Sequence, residues 1–239
     1  MNAKGLLFFT FVAGMATAAM TQSCANSKLS AAEQKDGFVA IFDGKSLDGW
    51  RSRGKPELPS KGWEVKDGVL TVLAANAGGR GGDIITKKMY SSFILKLDFR
   101  LTDKANSGIK YLFDPKKFGG TTMEYQVLDA AHPDAARGRD GNRTVASLYD
   151  VMPAAADKTV KPVGEWNEIM LVIKGMHVEH WLNRKKVLEF ERGSDAFNAA
   201  VAKSKFKRHA GWGTQSKGHV LLQDHGDRVS YRNIRIKEL

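Results

Sequence analysis

The run Phe93-Ile94-Leu95-Lys96-Leu97-Asp98-Phe99-Arg100-Leu101 carries the clearest two-residue alternation in this chain of 239 residues. Successive side chains of a β-strand point to opposite faces, so Phe93, Leu95, Leu97, Phe99 and Leu101 line a core while Lys96, Asp98 and Arg100 face away. Upstream, Trp63–Lys66 and Val69–Leu73 flank Asp67-Gly68, the pair that a two-residue type I′ hairpin turn favours. Phe38–Phe42 opens the series. Downstream, strands are expected at 109–113, 123–129, 147–151, 168–174, 177–182, 185–191, 219–225 and 229–237. Gly175-Met176, Asn183-Arg184 and Gly226-Asp227 supply turns between the later ones. Ser194 is placed to cap one short helix ending at Ala202. About a dozen short strands with tight turns and a single small helix predict an all-β sandwich of two antiparallel sheets. No fixed-period repeat suggests a propeller instead.

The formal net charge of +11 invites a nucleic-acid reading, but Lys and Arg are scattered among Asp and Glu without a dense cluster or an aromatic platform. A solvated surface is the expectation, with no nucleic-acid partner. Lys4, the apolar run Leu6–Met15 and the small residues 16–19 form a secretory leader too short to be a spanning helix. Thr21-Gln22-Ser23-Cys24 resembles a bacterial lipobox, with Thr21 where Leu is usual, and competes with cleavage after Ala16-Thr17-Ala18. Cys24 is the single cysteine, so no intrachain disulfide is available to it. The reading is a lipoprotein signal peptide over 1–24, a polar tether over 25–36 and one domain over 37–239. The protein is expected to be exported to the periplasm or outer membrane of a bacterium and held to the membrane only by lipid on Cys24.

Met123-Glu124-Tyr125-Gln126-Val127-Leu128-Asp129 is the stretch that carries chemistry. Tyr125 and Val127 point to the core, leaving Glu124, Gln126 and Leu128 on the opposite side. A carboxylate and an amide two residues apart on a strand are costly to desolvate unless they face a wet cleft or find partners. That places them on the floor of a groove, with Asp129 and His132 arriving just after. The loop 129–144 is long enough to suggest function. Gly78–Gly82 lacks the Lys and spacing of a phosphate loop and reads as flexible. His177 and His180 lie three apart on a strand and so on opposite faces, against a shared metal. Trp50, Trp63, Trp166 and Trp181 read as core or turn anchors. Trp212, between Gly211 and Gly213, reads as more exposed and able to stack on a sugar.

Several blocks resemble the 3-keto-disaccharide hydrolase family, formerly a domain of unknown function. They are Phe42-Asp43-Gly44-Lys45-Ser46-Leu47-Asp48-Gly49-Trp50, Glu124–Asp129, Gly164-Glu165-Trp166-Asn167, Leu222-Gln223-Asp224-His225-Gly226-Asp227 and Tyr231-Arg232-Asn233-Ile234. The resemblance spans roughly 37–239 and implies a concanavalin-like jelly roll, usually exported, that cleaves oxidised glycosides. Arg184 departs from the family, which commonly has Gly after the Asn of that hairpin, and Lys110-Tyr111 falls where its loops vary.

For a substrate with a ketone at C3, that chemistry needs a base at C2, a cation or donor for the enolate oxygen and an acid for the leaving oxygen. Glu124 or His132 is the candidate base. Gln126, Lys110, Arg232 or a divalent cation would stabilise the enolate, and Asp129 and His225 would act as acid or as ligands of that ion. Asn106, Tyr149, Trp212 and Gln223 complete the expected sugar contacts. No cofactor is certain, and the expected partner is a small carbohydrate. Two alternatives stay open: a retaining glycosidase, which needs two carboxyl groups about 5–5.5 Å apart, and a carbohydrate-binding module without catalysis.

Overall fold

The computed structural model describes Met1 and residues 29–239; the leader and Cys24 lie outside the described residues. Thirteen strands follow in chain order: β1 Val39–Ala40, β2 Trp50–Ser52, β3 Trp63–Lys66, β4 Val69–Val72, β5 Ile84–Thr86, β6 Phe93–Leu101 and β7 Asn106–Phe113. Then come β8 Glu124–Leu128, β9 Asn167–Lys174, β10 His177–Leu182, β11 Lys185–Glu191, β12 His219–Leu222 and β13 Val229–Glu238. They build two antiparallel sheets, the sandwich that the alternation predicts and the concanavalin-like jelly roll that the resemblance implies. The larger runs β11-β10-β9-β6-β13-β4-β3, with β1 also paired to β13; the smaller runs β2-β5-β12-β7-β8.

The core lies between the sheets. From β6 it takes Phe93, Leu95, Leu97, Phe99 and Leu101, and from the facing sheet Ile84, Ile109, Tyr111, Tyr125, Val127 and Leu222. Each side contributes alternate residues, which is why the two-residue period was readable in β6. The β3–β4 hairpin turns through left-handed Asp67 (φ 51°) and Gly68 (φ 77°), as a type I′ turn requires.

Several local expectations need correction. Residues 147–151 form turns with isolated bridges at Leu148, not a strand. Ala146 and Asp150 adopt left-handed backbone there (φ 66° and 65°), which breaks any ladder. The expected helix is present as α4, Asp195–Ala202, with Ser194 capping Phe197 N–H, but it has company. Single-turn helices α1 Ala31–Lys35, α2 Ala75–Gly78 and α3 Pro133–Ala136 precede it. α1 falls inside the expected tether and is docked: Ser30 and Glu33 form a capping box, and Arg235 Nε donates to Glu33 at 2.6 Å. The glycine run is anchored too, because the amides of Gly81 and Gly82 both donate to Asp224 Oδ2 at 2.8 Å. Among the described residues no helix is long and apolar enough to cross a membrane.

The β10–β11 turn places Arg184 at φ 69°, a left-handed conformation that brings Cβ against the backbone. Its ion pair to Glu168 (3.2 Å) joins two exposed side chains and offsets little of that strain. Arg184→Gly is therefore expected to stabilise the fold by about 1 kcal/mol and to raise Tm by roughly 2–4 °C. Thermal unfolding followed by circular dichroism checks this; a lower Tm would contradict it.

Candidate active site

β7 and β8 pair with Asn106 opposite Leu128, Gly108 opposite Gln126 and Lys110 opposite Glu124. Because Ser107, Ile109, Tyr111, Tyr125 and Val127 turn inward, Asn106, Gly108, Lys110, Glu124 and Gln126 emerge together on the outer face of the smaller sheet. Gly108 is needed for this. A Cβ there would lie 2.0 Å from Glu124 Oε1, in the space the carboxylate occupies.

On that face Asn106, Lys110, Thr121, Thr122, Glu124 and Gln126 meet Tyr149, Lys205, Phe206, Gln223 and His225 around a cavity of about 160 Å³. Glu124 is buried, with its Oε2 3.7 Å from Lys110 Nζ. Burial raises its pKa above the ordinary carboxylate value, and the nearby charges of Lys110 and Lys205 hold that rise in check. Gln126 is 1% exposed; its Nε2 reaches Asn106 Oδ1 only at 3.5 Å, and its Oε1 has no hydrogen-bond partner. A buried amide oxygen without a partner is expensive in a finished core and ordinary at a site that awaits a hydroxyl.

The roof is fixed by a charged network. Arg143 donates to Asp150 Oδ1 (2.8 Å) and Asp134 Oδ1 (2.7 Å), and Tyr149 Oη donates to Asp134 Oδ2 (2.8 Å). Lys205 Nζ sits 4.1 Å over the Tyr149 ring. Burial, then the bond to Asp134, raises the Tyr149 pKa, so its phenol stays protonated. Burial lowers the pKa values of Lys205 and His225.

The structure thus gathers Glu124, Gln126, Asn106, Lys110, Tyr149, Gln223 and His225 in one place, and four expected residues stand elsewhere. Asp129 follows the end of β8, and its carboxylate accepts the amides of Lys104 (2.6 Å) and Ala131 (3.3 Å); it holds a turn. His132 caps α3 by accepting Asp134 N–H at Nδ1 (3.0 Å) and stands behind pocket residue His225, edge-on at 6.3 Å. Trp212 is 2% exposed and stacked on Phe206 at 4.3 Å. Its flanking glycines serve left-handed turns (φ 68° and 83°) and not exposure. Arg232 belongs to β13 of the other sheet, paired with Asp98 (2.9 Å) and set 4.2 Å from the Trp166 ring centre.

Lys205, Phe206, Thr121 and Thr122 line the pocket without having been singled out. Lys205 follows α4 within the basic run 203–208, where no pattern marks one lysine as lining a pocket. The ion considered for Asp129 and His225 finds no shared ligand set there, since Asp129 is engaged by backbone amides. Among the described residues, His177, Glu179 and Glu189 are close enough together to hold a metal. They lie on the β10–β11 ladder, where Lys186 Nζ already sits 2.5 Å from Glu189 and 3.3 Å from Glu179. His180 faces the other way: it is buried, bonded to Ala146 O (2.8 Å) and Tyr111 Oη (3.0 Å), and burial pushes its pKa down to about 4.

Fold and pocket together define a jelly-roll protein with a polar, partly desolvated cavity on the outer face of its smaller sheet. The chain belongs to the 3-keto-disaccharide hydrolase family: the family profile, described as a 3-keto-alpha-glucoside-1,2-lyase-like domain, matches residues 37–237. A protein of Bacteroides thetaiotaomicron named 3-keto-disaccharide hydrolase is 37% identical over 232 residues, covering 85% of this chain and 79% of the relative. A crystal structure from Parabacteroides distasonis, assigned provisionally to the glycosyl hydrolases, superposes with a TM-score of 0.78 at 31% identity, covering 89% of this chain and 99% of that one. A second from the same organism gives a TM-score of 0.63 at 29% identity, covering 84% and 99%.

The raised pKa of Glu124 has a consequence for stability. A carboxyl that binds its proton more tightly when folded contributes stability below its unfolded pKa, near 4.5, and loses that contribution as pH rises through the folded value. Glu124→Gln, which cannot ionise, escapes the loss. The Tm of Glu124→Gln minus that of the parent is expected to grow from pH 4.5 towards neutrality and then level off. A gap that shrinks with pH in calorimetric scans would reject the assignment.

Proposed function

We propose that the Glu124 pocket cleaves the glycosidic bond of 3-keto-glycosides, 3-keto-disaccharides among them. The observation that carries this reading is a buried carboxylate of raised pKa beside Lys110, facing a cavity with an unpartnered amide oxygen. A C3 ketone acidifies the C2 proton, and a base with a raised pKa is better matched to removing it near neutral pH. Glu124 takes that proton, and the electron pair moves onto the C3 oxygen. Lys110 and Lys205, the cations nearest Glu124, stabilise the enolate charge. As the carbonyl re-forms, C1=C2 closes and the C1–oxygen bond breaks, with His225 supplying a hydrogen bond or proton to the departing oxygen. Water then adds at C1 and C2 regains a proton, so the net reaction consumes one water. Gln126 and Asn106 hold sugar hydroxyls.

Membership of the family and the name of the Bacteroides relative support this choice of substrate. A retaining glycosidase would need a second carboxyl group about 5–5.5 Å away. Among the pocket-lining residues Glu124 is the carboxylate, and the neighbouring Asp83 is engaged with Arg53 at 3.2 Å.

Incubation with a 3-keto-glucoside and with its unoxidised parent tests the proposal. Only the oxidised sugar should be cleaved, and Glu124→Gln should lower kcat by about 10²–10⁴. Cleavage of the parent at a similar rate, or full turnover by the variant, would overturn it.

The leader and lone cysteine further support an exported lipoprotein carrying lipid on Cys24. In a bacterial host Cys24→Ala should move the protein from the membrane fraction to the soluble one; continued membrane association would reject the anchor.

A further inference from the structure

Beside the Glu124 pocket lies a larger groove of about 730 Å³, formed by the segments 52–61 and 80–83. Two guanidinium groups link them. Arg53 NH2 donates to the carbonyl of Gly120 (2.9 Å), next to pocket residue Thr121, and Arg80 NH2 donates to the carbonyl of pocket residue His225 (2.8 Å). The pocket has less than a quarter of the groove's volume. A sugar ring placed over Glu124 therefore directs its C1 substituent out of the pocket, and the groove is the adjoining space that can receive it.

The wall is pre-formed. Asp224 clamps the amides of Gly81 and Gly82, and Gly62 approaches Gly81 so closely that a Cβ would lie 2.1 Å from its nitrogen. Its charge is unbalanced: Arg53, Lys55, Lys61 and Arg80 line it against Glu57 and Asp83. Arg53 is neutralised by Asp83, whereas Lys55, Lys61 and Arg80 have no ion-pair partner among the described residues. Leu58, 40% exposed, adds an apolar contact for the flank of a ring.

Resting on the pocket as the site of C2 chemistry, we propose that this groove is the leaving-group subsite and that it selects leaving groups bearing a carboxylate, such as uronic acids. Lysine and arginine side chains present several donors to a carboxylate and attract it before contact.

The test pairs two 3-keto-glucosides that differ only in the leaving group, a neutral hexose or the corresponding uronic acid. At low ionic strength the wild type should show the higher kcat/KM for the acid, and molar salt should erase the preference. The double variant Lys55→Glu/Lys61→Glu should lower the acid-to-neutral ratio of kcat/KM by roughly three- to tenfold, in line with exposed charge pairs. A fold defect would depress both substrates alike and leave the ratio in place. An equal response of the wild type to both substrates, or an unchanged ratio in the variant, overturns the subsite while leaving the C2 chemistry intact. Should neither substrate be cleaved, the proposed reaction fails and titration calorimetry with the uronic-acid substrate decides the groove. Binding weakened by the double variant supports it, and binding that is absent or unaffected overturns it.

Discussion

Glu124 sits 6% exposed on the outer face of the smaller sheet with Lys110 Nζ 3.7 Å away, and the surrounding architecture is arranged to tolerate that carboxylate. A carboxyl group taken out of water loses hydration that a single cation at this distance replaces only in part. The remaining burden appears as a raised pKa and not as a collapsed site, because Gly108 leaves space for the side chain and Lys205 adds a second positive charge. Chemistry that begins with proton removal benefits from this discomfort, since a fully solvated Glu would be too weak a base.

Antiparallel parity allows one short ladder to serve both core and cavity. Along 107–111 of β7 and 125–127 of β8 the odd-numbered residues lock the two sheets together while Asn106, Lys110, Glu124 and Gln126 carry polar groups outward; the parity reverses at left-handed Leu112 (φ 51°), which enters the core while Phe113 joins Ile85 and Leu221 in a separate cluster. Ser107 shows how firmly the inner side is satisfied: it donates to Gln223 O (2.7 Å) and accepts from Tyr231 Oη (2.7 Å), joining both sheets and the segment that brings His225. The outer side is left deliberately incomplete at Gln126. Supporting rings stand behind the wall, with Phe206 on Trp212 and Trp212 on Phe197, so the segment carrying Lys205 is backed by a packed aromatic stack.

What was legible in the sequence follows the range of the forces involved. The alternation in β6, the Asp67-Gly68 turn and the Ser194 cap are local, and all three are where the residues place them. The face shared by Glu124 and Gln126 is also local, being a matter of parity within five residues. Asp129 and His132 bond to turn and helix-end amides, and a one-dimensional reading cannot say which amides will be in reach of a carboxylate or an imidazole. Trp212 misled because neighbouring glycines suggest openness, whereas here they let the backbone bend around a stacked ring. Arg232 belongs to a motif that the family resemblance marks, yet β13 lies in the opposite sheet. Lys205 was silent, since its position over Tyr149 depends on a fold-back of more than fifty residues.

The larger sheet is joined through β13, which pairs with β6 along one edge and with β4 and β1 along the other. Residues 229–238 therefore stitch together segments made near the beginning of the domain. Until they arrive, β4 and β6 each expose an unpaired edge, and the half-built sandwich has no central spine. Compaction of the larger sheet therefore waits on the final strand of the domain. Clipping that strand would then remove the keystone and not merely a fringe.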